Sequence, residues 1–345
     1  MSDMRVHMGD GAADTPSKAR IAGVFTGLVV LLAAVLLFSL ALGRYEFSLA
    51  ELQALFSGAA DPTTLNVLLH LRLPRILGAA LVGAMLAGAG CAYQGLFRNP
   101  MVSPDLLGAS AGAGFGAALG LLLSLGGGGV KISAFVSGCV AVAASYLLSQ
   151  KVSRGMNAIL ILVLCGIVVQ QLFTAFTSAV KYVADPNSQL PEITFWLMGG
   201  LSNVYEDDLP WLIIPLLLGG GALMALRWRI NVMALGDEEA LSLGVDVKRT
   251  RLAVVLAATL ITSAAVSIAG MVGWVGLIIP HLARFLVGPD HRVLVPASFL
   301  LGGSFLLLVD DVCRSIYTTE IPLSILTAII GAPLFVYLIY RQRKR

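Results

Sequence analysis

The chain has 345 residues, of which 57% are hydrophobic and 12% charged, with a formal net charge of +3. Soluble domains carry about 25% charged residues. This composition therefore excludes an ordinary soluble fold and points to an all-α polytopic membrane protein. The small net charge gives no sign of a nucleic-acid partner. Cys91, Cys139, Cys165 and Cys313 lie in or beside apolar runs without CxxC spacing, and the four histidines are scattered. Neither a metal site nor a disulfide frame is expected.

Residues 1–20 are polar and read as a cytoplasmic tail, followed by one membrane domain over 21–345. Ile21 to Leu42 is an uncharged run of 22 residues, too long for the hydrophobic core of a signal peptide, and reads as a first span. Tyr45 to Leu69 is amphipathic, with Ser48 placed to cap a short surface helix and Glu51 three residues on. The 22 residues between Arg75 and Arg98 carry no formal charge, enough for a crossing that takes roughly 20 helical residues. This second span, Ile76 to Phe97, is followed by a third from Pro104 to Leu125. Gly108, Gly112, Gly116 and Gly120 recur every fourth position, which predicts a face where another backbone comes close.

Gly126 to Gly129 reads as a turn, and Ile132–Gln150 and Ala158–Val180 as the fourth and fifth spans. Ile193–Met198 is apolar and aromatic inside a polar stretch, which predicts a short interfacial helix. Leu209–Leu226 is the sixth span. Residues 231–251 form a polar loop with room for two short helices broken by Gly236 and Gly244; Asp237, Glu238 and Glu239 crowd the first turn of the second, where the helix dipole favours acids. The 32 residues between Arg251 and Arg284 hold no Asp, Glu, Lys or Arg. Gly270, Gly273, Gly276 and Pro280 split them into a seventh span to Ile268 and a short eighth, Leu277–Val287. Val293–Val309 and Ile321–Tyr340 are the ninth and tenth. With ten spans both termini share one side. That side holds 17 of the 23 Lys and Arg residues, against six on the other, which marks it as cytoplasmic.

No GxxxxGK[ST] occurs, and the glycine-rich Gly108–Gly120 has no lysine to reach a phosphate, so the chain is not expected to hydrolyse ATP. No acid falls near the middle of a predicted span; Asp310 and Asp311 fall at the outer end of the ninth. That argues against a proton-coupled carrier, though not a sodium-coupled one. No nucleophile, base or ligand set points to an enzyme. The polar loop fits either a helical knob for a partner's groove or a helix resting on headgroups. Its acids favour the protein partner, since lipid-facing helices prefer Lys and Arg.

The blocks LRLPRILGAALVGAMLAGAG, CAYQGLFRNPMVSPDLLGASAGAGFGA, ITFWLMGGL, MALGDEEALSLGV, GWVGLIIPHLARFLVGPDHRVLVP and PLSILTAIIGAPLFVYLI together resemble the permease subunit of type II ABC importers, which carry ferric siderophores, haem and cobalamin. The resemblance runs from about Leu71 to the C-terminus. It implies a homodimer of ten-span subunits in a bacterial or archaeal plasma membrane. Two separate ATPase subunits, which use the ATP and Mg, dock on the cytoplasmic face, and a binding protein delivers cargo from outside. It further implies ATPase coupling by Met233, Leu235, Gly236, Asp237, Glu238, Glu239, Ala240 and Gly244. It implies binding-protein docking by Arg72, Arg75 and Arg314, and a cytoplasmic gate at Asn99 and Met101, with a second element near Gly155–Asn157. From the residues alone, the alternative is that those arginines anchor at the interface or, for Arg314, pair with Asp310 or Asp311. Asn99 before Pro100 could equally be simple turn chemistry. His281 reads as a structural polar residue. ADPNSQLPEITFWLMGGL leans toward ferric-siderophore carriers, with haem, cobalamin and molybdate open. An ion-coupled secondary carrier is the rival from another class.

Overall fold

The computed structural model describes residues 18–42, 61–153, 157–316 and 319–342. Most of the expected tail, the Ser48–Glu51 surface helix and most of the second gate element at 155–157 lie outside the described residues. Within them, helices follow one another as α1 (Lys18–Ala41), α2 (Pro62–Leu96), α3 (Ala109–Leu122), α4 (Gly126–Val152), α5 (Ala158–Val183) and α6 (Gln189–Met198), then α7 (Glu206–Met233), α8 (Asp237–Ser242), α9 (Val247–Ala269), α10 (Val275–Val287), α11 (His291–Ser315) and α12 (Leu323–Gln342). Seven of these are long and apolar enough to cross a membrane, and α3, α10 and Leu323–Leu338 of α12 are shorter apolar helices.

The centre of the bundle is α2 and α9, whose most apolar windows are each 78% buried, whereas α1 is 11% buried and lies at the edge. Small residues make the central contacts. Gly83 of α2 faces Gly302 of α11 backbone to backbone, and Gly90 of α2 meets Gly276 of α10 in the same way. The expected glycine ladder on α3 is a seam against α4. A side-chain carbon on Gly112 or Gly116 would lie 2.5 or 2.2 Å from the carbonyl of Ser137 or Ser133. Gly108 plays another part: its φ of 90° ends a single 3-10 turn, Pro104–Leu107, before α3 begins.

Several boundaries differ from expectation, each for a local reason. LRLPR lies inside α2, which runs for 35 residues. A wider π turn over Val67–Arg72 precedes Pro74 and accommodates the ring that would clash in a regular helix. Gly126–Gly129 is the first turn of α4, with Gly126 alone in the left-handed region. The third span is not a full crossing: α3 has 14 residues, about 21 Å. Of the two short helices expected over 231–251, only α8 forms. Met233 ends α7, because that helix continues past its apolar part. Asp310, Asp311 and Arg314 lie within α11 and are buried.

Candidate coupling surface and transport path

Two faces stand at opposite ends of α2. On the first, α8 forms a knuckle. Gly236 precedes it with a φ of 149°, a backbone conformation that residues with a side chain rarely adopt, so glycine lets the chain turn into α8. Asp237 takes hydrogen bonds from Arg251 of α9 at 2.8 Å and from Arg98 at 3.4 Å. Ala240 is fully buried beneath the knuckle, while Leu235, Leu241 and Leu243 stand 65, 61 and 56% exposed around it. Glu238, Glu239 and Gly244 are exposed as well. Nearby, the guanidinium of Arg292 holds the Asp290 carboxyl below its ordinary range.

Arg98 closes α2 in the left-handed region, at φ 52°. The turn after it is an Asx turn, in which the Asn99 Oδ1 accepts from the Met101 N–H at 2.9 Å. Met101 is 44% exposed. Gln94, a residue the sequence reading passed over, fastens this turn to α10. Its amide donates to the carbonyls of Val102 and Leu277, and its oxygen accepts from Arg284 at 3.1 Å. The knuckle and the turn are thus joined through Arg98, one residue from Asn99.

At the opposite end the three arginines expected to meet a binding protein make contacts within the chain. Arg75 forms a two-pronged pair with Asp310, at 2.9 and 2.8 Å, and reaches Glu320 at 2.7 Å. Arg314 pairs with Asp311 and donates to the carbonyl and hydroxyl of Ser39 on α1. Arg72 donates to the Leu40 carbonyl. The physical reason is that α2, α11 and the segment after α11 bring three acids and three guanidiniums together, with Asp310 and Asp311 buried among them and Glu320 at the rim of a cavity. Arg72 and Arg314 are each 6% exposed. Of the two internal partners open to Arg314 in sequence, Asp311 is the closer, while Asp310 binds Arg75.

Two cavities lie between these faces. The larger, about 860 Å³, sits at the arginine end and is bordered by Lys131, Glu192 and Glu320. The smaller, about 390 Å³, is bordered by Asp105, Gln170, Thr174, Lys181, Leu197 and Met271 among others. The end of α6 and the segment after α9 pinch together between them, with Gly200 N–H donating to the Ala269 carbonyl at 2.9 Å. Asp105 departs from the expectation that no acid falls near mid-membrane. The Leu106 carbonyl abuts Gly166, and Gly108 abuts Gln170, which lie eight and twelve residues into α5. That is about 12–18 Å from the knuckle-side end of α5, near the middle of a bilayer core about 30 Å thick. The short α3 is the cause, because it leaves its leading turn at membrane depth. The signal available in sequence was the polar period along α5: Gln170, Thr174, Thr177, Ser178 and Lys181 share one helical face.

Residues 31–341 match the FecCD transport family. Molybdate import system permease protein MolB of Haemophilus influenzae is 40% identical over 93% of this chain and 96% of its own length. Hemin transport system permease protein HmuU of Yersinia pestis is 34% identical over 90% and 95%. Cobalamin import system permease protein BtuC of Halobacterium salinarum is 42% identical over 82% and 76%. A solved structure described as an inward-facing metal-chelate type ABC transporter superposes with a TM-score of 0.86 at 39% identity, over 93% of this chain and 99% of that one. The chain belongs to the FecCD transport family and is a multi-pass permease subunit with the type II ABC importer fold, a transport component and not an enzyme.

Proposed function

We propose that this permease imports an iron chelate, a ferric siderophore, through a pathway between two copies of the chain. ATPase subunits sit on the knuckle face, in the cytoplasm with both termini, and a binding protein delivers cargo to the arginine face. The observation that carries the reading is the knuckle: a short acidic helix fixed by Asp237 to α9 and to the end of α2, with three leucines left uncovered around it. Apolar side chains beside a rigid helix suit a partner's groove. ATP-driven closure of the partner moves α8, Arg98 passes that displacement to the Asn99–Met101 turn, and alternating access follows. Arg75, whose side chain is 13% exposed, is the most reachable of the three arginines, so docking through it requires displacing Glu320.

Reconstitution of the chain in liposomes with and without its ATPase tests the reading. Uptake of a ⁵⁵Fe-labelled ferric hydroxamate is expected only with the ATPase, ATP and binding protein present. Changing Leu241 and Leu243 to Asp is expected to cut uptake and ATPase co-purification at least about tenfold, the scale of losing about 1.4 kcal/mol of binding. Uphill uptake by the chain alone on an ion gradient would establish the secondary-carrier alternative. Molybdate is a second reading, favoured by the 40% identity to a permease named for it. A panel of loaded binding proteins, each scored by stimulated ATP turnover, separates the two.

A further inference from the structure

The chamber beside Asp105 has an unusual wall. Every hydroxyl placed on it by α3 and α5 spends its proton inward. Ser110 donates to the Asp105 carboxylate. Thr174 donates to the Gln170 carbonyl at 2.8 Å, Thr177 to the Phe173 carbonyl at 2.9 Å, and Ser178 to the Thr174 carbonyl at 3.0 Å. What these groups turn toward the cavity is lone pairs. Asp105 adds a carboxylate at mid-membrane depth. The Gln170 amide offers both donor and acceptor. Among the described residues Lys181 is the one cation on the wall, and it stands seven residues beyond Thr174, about 10 Å toward the arginine face. A stripe of this polarity would be costly against lipid, so it belongs beside water or cargo.

We propose that this chamber is a selective stretch of the cargo passage. It favours cationic and hydrogen-bond-donating solutes and resists oxyanions. The inference deepens the proposed function by separating two cargoes its relatives leave open. A chelate bearing amide, hydroxyl or ammonium groups presents donors to the acceptor wall. Molybdate presents only oxygens and negative charge, and meets repulsion from Asp105 with little donor compensation outside Gln170 and Lys181.

The test reads charge preference directly and needs neither ATP nor cargo, so its failure is distinct from failure of the import assay. Thr174→Cys and, separately, Ser178→Cys are made in the full-length chain and placed in nanodiscs, with the unsubstituted chain as background for its native cysteines. Each is labelled with a cationic and an anionic methanethiosulfonate of similar size, and rates are divided by those of the same reagents with a free thiol in solution. Cationic labelling is expected to exceed anionic labelling at least about tenfold after that correction, and Asp105→Asn is expected to reduce the ratio at least about threefold. Equal rates, faster anionic labelling, inertness of both positions to both reagents, or a ratio unmoved by Asp105→Asn would each overturn the proposal.

Discussion

Asp310→Ala is expected to leave very little folded protein. Asp310 is wholly buried and accepts both prongs of the Arg75 fork. Removing it strands a guanidinium whose one other ion partner among the described residues is Glu320, at the rim of the outer cavity. Breaking a buried pair from one side costs about 3–5 kcal/mol, because the remaining charge is dehydrated and uncompensated. A typical domain has only about 5–15 kcal/mol in total. Thermal unfolding in detergent should show a large drop in midpoint, or no recoverable monodisperse protein. The same reasoning predicts the opposite for the double change Arg75→Met with Asp310→Leu. These apolar side chains remove both charges together, and stability should recover most of the loss. If the single and double variants are equally unstable, the fork is not what holds α2 to α11.

Gly90→Val carries the second large expected effect. A side-chain carbon at Gly90 would stand 1.9 Å from the Gly276 carbonyl, and one at Gly276 would strike Pro104 at 2.4 Å. The obstacles are backbone and a proline ring, so no flexible side chain can swing aside. Helices α2 and α10 must separate, and the Gln94 bond to the Leu277 carbonyl, one turn further along α2, goes with them. Overpacking of this kind costs about 1–3 kcal/mol or more. Gly27→Ala is the matched control: Gly27 lies on α1 with nothing within 4 Å of a new carbon. There the helix should gain up to about 1 kcal/mol of propensity. Unfolding midpoints of the two variants are expected to move in opposite directions, with transport lost only for Gly90→Val. Similar midpoints would mean the α2–α10 contact yields more easily than its geometry implies.

Legibility in sequence followed the kind of signal available. The ten apolar segments were visible because runs without charge are counted directly, and Gly112 and Gly116 were visible as a seam because period four is a helix face. The knuckle was readable from Gly236, the three acids and Gly244, which bracket α8 as the structure places it. The arginines were located at the end remote from the knuckle, and internal pairing was legible for Arg314, whose acids lie three and four residues away, but not for Arg75. Asp310 lies 235 residues from Arg75, and only the antiparallel run of α1, α2 and α11 brings them together. Asp105 was missed for a related reason. A span counted from Pro104 puts an acid at its end, and nothing local says that the helix proper begins at Ala109 and is only 14 residues long. Gln94 lay hidden in an apolar run as one amide among small residues, its role fixed by α10 far along the chain.

That abbreviated α3 changes the electrical problem of transport. A wall about 21 Å tall leaves roughly a third of the hydrocarbon thickness to be sealed by loops and their carbonyls. Where water fills the cavities on either side, the membrane voltage concentrates across the Gly200–Ala269 pinch that divides them. A charged cargo held there senses a steep field over a short path, so small movements of one turn suffice to commit it to either side.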